Sequence, residues 1–92
     1  MNQNYNSTEF DAELRGLVPT IDKRSANLKY LEFLEGCGDP VHWVVEGMYR
    51  ALNSGDEIDD FSLLKQEFIS LKDNMICITP KGKRLLELVQ QN

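Results

Sequence analysis

Residues 75–89, Met-Ile-Cys-Ile-Thr-Pro-Lys-Gly-Lys-Arg-Leu-Leu-Glu-Leu-Val, change their hydrophobic period once, at a single corner. Before the corner apolar residues alternate, as in a half-buried strand. After it they recur at helical spacing. Thr79 suits a helix N-cap, because its hydroxyl accepts from an amide that the first turn leaves unpaired. Pro80 suits the first helical position, where no amide donor is needed. Gly82 has no Cβ and lets the helix pass close to the strand it leaves.

A strand at 75–79 has unpaired backbone groups and needs a partner. The nearest candidate is 68–72, Phe-Ile-Ser-Leu-Lys, with Asp73-Asn74 as a tight turn. Ile69 and Leu71 then face one side of the first strand, and Ile76 and Ile78 one side of the second. A helix ending near Glu67 would precede this hairpin. Another reading stays open. Phe61, Leu64, Phe68 and Leu71 are also spaced for one long helix capped by Asp60.

Upstream, Ser7 or Thr8 is a candidate cap for a short helix that Gly16 ends and Pro19 bars from continuing. Phe10, Leu14 and Leu17 share its face. Thr20 is a candidate cap for a second helix, with Ile21, Leu28, Leu31 and Leu34 near helical spacing and Gly36 in the left-handed position at its end. Asp39-Pro40 reads as a third helix start, with Val41, Val44 or Val45, Met48 and Leu52 along one side and Asn53–Gly55 as its stop.

A chain of 92 residues is one domain, here 7–92 after a flexible 1–6. A domain of this size buries about 60–65% of its unfolded surface, so its stability is modest unless it oligomerises. There is no run of about 18 apolar residues, so no transmembrane helix is expected. The start lacks the basic and apolar segments of a secretory signal. With only Cys37 and Cys77, reduced thiols and a cytoplasmic location are expected, with a disulfide as the alternative. The net charge of −5 has the wrong sign for a surface that attracts nucleic acid as a whole.

The stretch 68–89 resembles the wing and following helix of bacterial winged-helix regulators, such as the MarR-like and PadR-like groups. There an apolar strand, a polar turn and a second strand end in a Leu-Thr-Pro-x-Gly-like corner; here the corner is Ile78-Thr79-Pro80-Lys81-Gly82. The resemblance implies a mainly α, winged helix-turn-helix fold with a small β-hairpin at about 68–79. The alternative is an all-α small helical bundle. It also implies a small, dimeric DNA-binding regulator whose third helix enters the major groove. Lys65, Lys72, Lys81, Lys83 and Arg84 would then contact the backbone of double-stranded DNA. Lys23, Arg24 and Lys29 form a second, weaker basic cluster.

The charges admit another function on the same fold. Residues 56–67 carry five acids (Asp56, Glu57, Asp59, Asp60 and Glu67) against one base, Lys65, and the wing turn has no Arg. An acidic module that binds protein in place of DNA is the alternative. Trp43, Val44, Val45, Met48, Tyr49 and Leu52, with Leu85, Leu88 and Val89 of the tail, exceed what one small core hides. Trp43, Met48, Tyr49, Leu85, Leu88 and Val89 are therefore expected to form a homodimer or partner surface. No metal or cofactor is expected: Cys37, Asp39, His42 and Glu46 lie close in sequence but at no recognised ligand spacing. No phosphate loop or activated nucleophile is visible, so the chain is not expected to be an enzyme.

Overall fold

The computed structural model describes residues 5–38, 40–53 and 57–91, with side chains from Phe10 onward. The chain is mainly helical around a small three-stranded antiparallel sheet. Helix α1 spans Tyr5–Leu17 and runs into a 3-10 turn at Val18–Thr20. Helix α2 is Ala26–Cys37, strand β1 is Val41–His42 and helix α3 is Trp43–Leu52. Helix α4, Asp60–Lys65, leads into β2, Ile69–Lys72, and β3, Met75–Ile78. Helix α5, Pro80–Gln90, follows the corner.

The hairpin forms in place of one long helix over 60–72. Asp73 and Asn74 have φ of 53° and 64°, the two left-handed residues that a tight hairpin turn with the strands' own twist requires. Ile69 pairs with Ile78 and Leu71 with Ile76. Ile69, Ile76 and Ile78 are buried, whereas Leu71, nearer the hairpin tip, is exposed. The other edge of β3 is covered by β1, with Val41 opposite Ile76. This third strand was not legible beside Pro40; two residues carry no period. It delays the helix expected from Asp39-Pro40 until Trp43. Asp39 itself lies outside the described residues, as do residues 54 and 55 of the expected stop.

Other boundaries move as well. Helix α1 begins at Tyr5, inside the segment expected to be flexible, and continues through Gly16. Thr20 closes the 3-10 turn, its hydroxyl donating to the Leu17 carbonyl at 2.6 Å, and the α2 cap falls to Ser25, which accepts from the Leu28 amide at 3.2 Å. The left-handed residue after α2 is Gly38, with φ of 79°, not Gly36. In α4 the cap is Asp59, accepting from the Ser62 amide at 3.1 Å, one residue before the Asp60 that the long-helix alternative named as its cap.

The corner is built as its residues dictate. Thr79 accepts from the Gly82 amide at 3.1 Å, and its own hydroxyl donates to the Glu67 carbonyl. A Cβ at Gly82 would overlap the Phe68 carbonyl oxygen and stand 2.8 Å from Ile78 Cγ1. Only glycine permits this contact. It seats α5 at the centre of the molecule against α1, α2 and β3. Leu85, Leu86, Leu88 and Val89 are all buried there, with Leu14, Leu28, Tyr30, Leu31, Leu34 and Phe68 around them. Leu85, Leu88 and Val89 are thus core residues and not the docking surface expected of them. An amphipathic helix at a chain end reads as available for a partner until its neighbours are known, and here α1 and α2 cover it.

Candidate functional site: an apolar helix face

Helix α3 begins at His42, whose extended backbone and Nδ1 cap it; Nδ1 accepts from the Val44 amide at 3.1 Å. The ten residues that follow hold apolar and ionised groups on opposite sides. At about 100° per residue, Val44, Val45, Ala51 and Leu52 lie within roughly 60° of Met48, while Glu46 and Arg50 lie on the far side. The ionised side is the one turned inward. Glu46 is only 8% exposed, while Met48 is 61% and Leu52 81% exposed, and Trp43, Val44 and Val45 also face solvent.

The inward side is a polar network. The Tyr30 hydroxyl donates to Glu46 Oε2 at 2.8 Å. Arg50 Nε donates to the same oxygen, its second nitrogen lies 3.3 Å from Asp60 Oδ2, and its guanidinium stands 5.3 Å from the Tyr30 ring centroid. Burial, reinforced by Glu46, pushes the Tyr30 hydroxyl well above the ordinary tyrosine range. Burial works against the charge on Arg50, but the Glu46 carboxylate overrides it and holds Arg50 ionised. Tyr49 closes the site, stacked on Phe33 with centroids 4.2 Å apart. A buried charge pair contributes little net stability against its desolvation. Helix α3 is therefore held by a polar clasp, with its hydrophobic side left in water.

The expected partner surface is thus divided. Trp43 and Met48 are exposed, Tyr49 is half-buried against Phe33, and Leu85, Leu88 and Val89 are interior. The roles of Glu46 and Arg50 were missed, as was the exposure of Phe61, 73% on α4. A signal existed: the two charges of α3 are four residues apart and on the side away from Val44, Val45, Met48 and Leu52.

The expected phosphate contacts also separate. Lys81 is only 9% exposed. Its Nζ donates to Glu13 Oε2 at 2.9 Å and sits between the Phe10 and Phe68 rings, 5.9 and 5.5 Å from their centroids. Arg84 donates to both oxygens of Asp11, at 2.8 and 2.9 Å, and to Glu87 at 2.8 Å. That hydrogen bonding holds the Asp11 carboxyl below the usual carboxylate range and Arg84 above its own. Both cations tie α5 to α1. Lys65, Lys72 and Lys83 remain exposed on α4, β2 and α5. Helix α4 has Asp59 and Asp60 at its start, Leu63 buried, and Phe61, Leu64 and Lys65 outward.

Among the described residues no three His, Cys, Asp or Glu side chains converge as metal ligands, and no described helix is long and apolar enough to cross a membrane. Cys37 and Cys77 are both free thiols. No family model, curated protein or solved structure matches this chain.

Proposed function

We propose that the chain is a winged-helix-like protein-interaction module that docks through the outer face of α3. The order α2, β1, α3, α4, β2, β3 supports the winged-helix reading, with the β2–β3 hairpin as the wing. One observation carries the function: α3 buries its ionised side and exposes its apolar side. An exposed, contiguous apolar face rimmed by polar groups is the mark of a protein-binding surface. The surface that would meet DNA on this fold has the opposite character. Helix α4 presents Phe61 and Leu64 behind two N-terminal carboxylates, and Lys81 and Arg84 are engaged by α1.

The second reading is a DNA-binding regulator. The element order and the exposed Lys65, Lys72 and Lys83 favour it. Titration into random-sequence duplex at low salt separates the two. The docking reading predicts no binding. Binding that falls steeply with salt, with a slope flattened by Lys65→Ala and Lys83→Ala together, would establish the regulator instead.

A further inference from the structure

Helix α3 is attached unlike α2 and α5. Helix α5 buries Leu85, Leu86, Leu88 and Val89, and α2 buries Leu28, Tyr30, Leu31 and Leu34, whereas the one buried residue of α3 is Glu46. What α3 gives the interior is a carboxylate and the half-buried Tyr49. We infer that α3 is a detachable arm: it opens and unravels as a unit while the sheet, α2 and α5 stay folded, and the Glu46–Arg50–Asp60 clasp is what closes it. The arm needs only this attachment, whichever partner meets its outer face.

The attachments are few. Tyr30 donates to Glu46 at 2.8 Å, Arg50 bridges Glu46 and Asp60, and Tyr49 stacks on Phe33. At its start the helix is tied by the Trp43 amide, which donates to the Asn74 carbonyl at 3.0 Å, and by the His42 cap. Burying a charge pair returns little net stability, and an element with few buried apolar contacts opens at a free energy well below that of global unfolding. A helix of ten residues does not persist alone, since isolated helices shorter than about 12–15 residues are marginal in water. Release and unravelling are therefore one event. It leaves the core intact, because Val44, Val45, Met48 and Leu52 already face water in the closed form. Elements that move when a partner binds are drawn from this low-stability end.

Native-state amide exchange of the full chain, followed by NMR at increasing sub-denaturing urea, tests this. The amides of residues 46–52 should share one opening free energy and be at least ~100-fold less protected than those of α5. They should respond only weakly to urea, because their opening exposes little surface. Glu46→Gln should lower their protection at least ~10-fold, since it removes the charge that Arg50 faces. Tyr30→Phe, a milder loosening of the same clasp, should lower it ~3–10-fold. Asp11→Asn loosens the α1–α5 tie in the closed and the open form alike, so it should lower the protection of α5 and leave that of α3 unchanged. Amides of α3 as protected as those of α5, or falling with them in Asp11→Asn, overturn the detachable arm and make α3 part of the global unit. Protection of α3 that neither Glu46→Gln nor Tyr30→Phe lowers overturns the clasp as its closure.

Discussion

Single residues set where the elements of this chain stop. Helix α4 ends in a double hydrogen-bonded cap: the Glu67 amide donates to Leu64 and the Phe68 amide to Leu63, with Glu67 left-handed at φ 66°. Glycine or asparagine usually marks that position, so Glu67 gave no warning of how abruptly the chain turns into β2. Gly82 is the reverse case, since its neighbours Thr79 and Pro80 made the close approach legible. Gly82→Ala is predicted to cost about 3 kcal/mol in urea unfolding, because the new Cβ meets backbone at Phe68. Gly36→Ala, in a helix with nothing within 4 Å of the added carbon, is predicted to stabilise by about 0.5 kcal/mol. Equal effects at the two sites would contradict this reading of the corner.

Among elements, α1 and α3 are both attached through charge, with opposite consequences. Helix α1 covers the centre of the molecule with Leu14 and is tied down at its edge by Asp11–Arg84 and Glu13–Lys81. Because the folded pKa of Asp11 lies below its unfolded value, this pair contributes stability above about pH 4, lost as the pH falls toward the folded value. Asp11→Asn removes that titration. Urea midpoints measured from pH 3 to 7 should therefore fall less steeply on acidification than those of the parent, and parallel curves would show that Asp11 is not linked to folding. No periodicity announces such pairing: residues 11 and 84 are far apart in sequence, and a basic helix face reads as solvated until an acidic helix is laid on it. Helix α3 shows the complementary blind spot. Its amphipathic pattern was plain, but direction was not, since the pattern gives two faces and only tertiary contact says which is inner. Tyr30 and Asp60 decide it by supplying partners for Glu46 and Arg50.

At the scale of the whole molecule, the hairpin, its turn and the capped corner were readable because each rests on adjacent residues with strong local preferences. The third strand, the central place of α5 and the orientation of α3 depend on contacts between distant segments. The same division runs through the site. Trp43 and Met48 were legible as surplus apolar residues. Leu85, Leu88 and Val89 looked alike in sequence but fill the core. Met48 belongs to a surface and not to the interior. Urea unfolding of Met48→Lys, at a concentration low enough to hold the chain monomeric, measures this. The predicted change in unfolding free energy is within about 0.5 kcal/mol of the parent, as at other exposed positions. A loss of about 2–5 kcal/mol, the usual cost of removing a buried methionine, would place Met48 in the core and contradict the account.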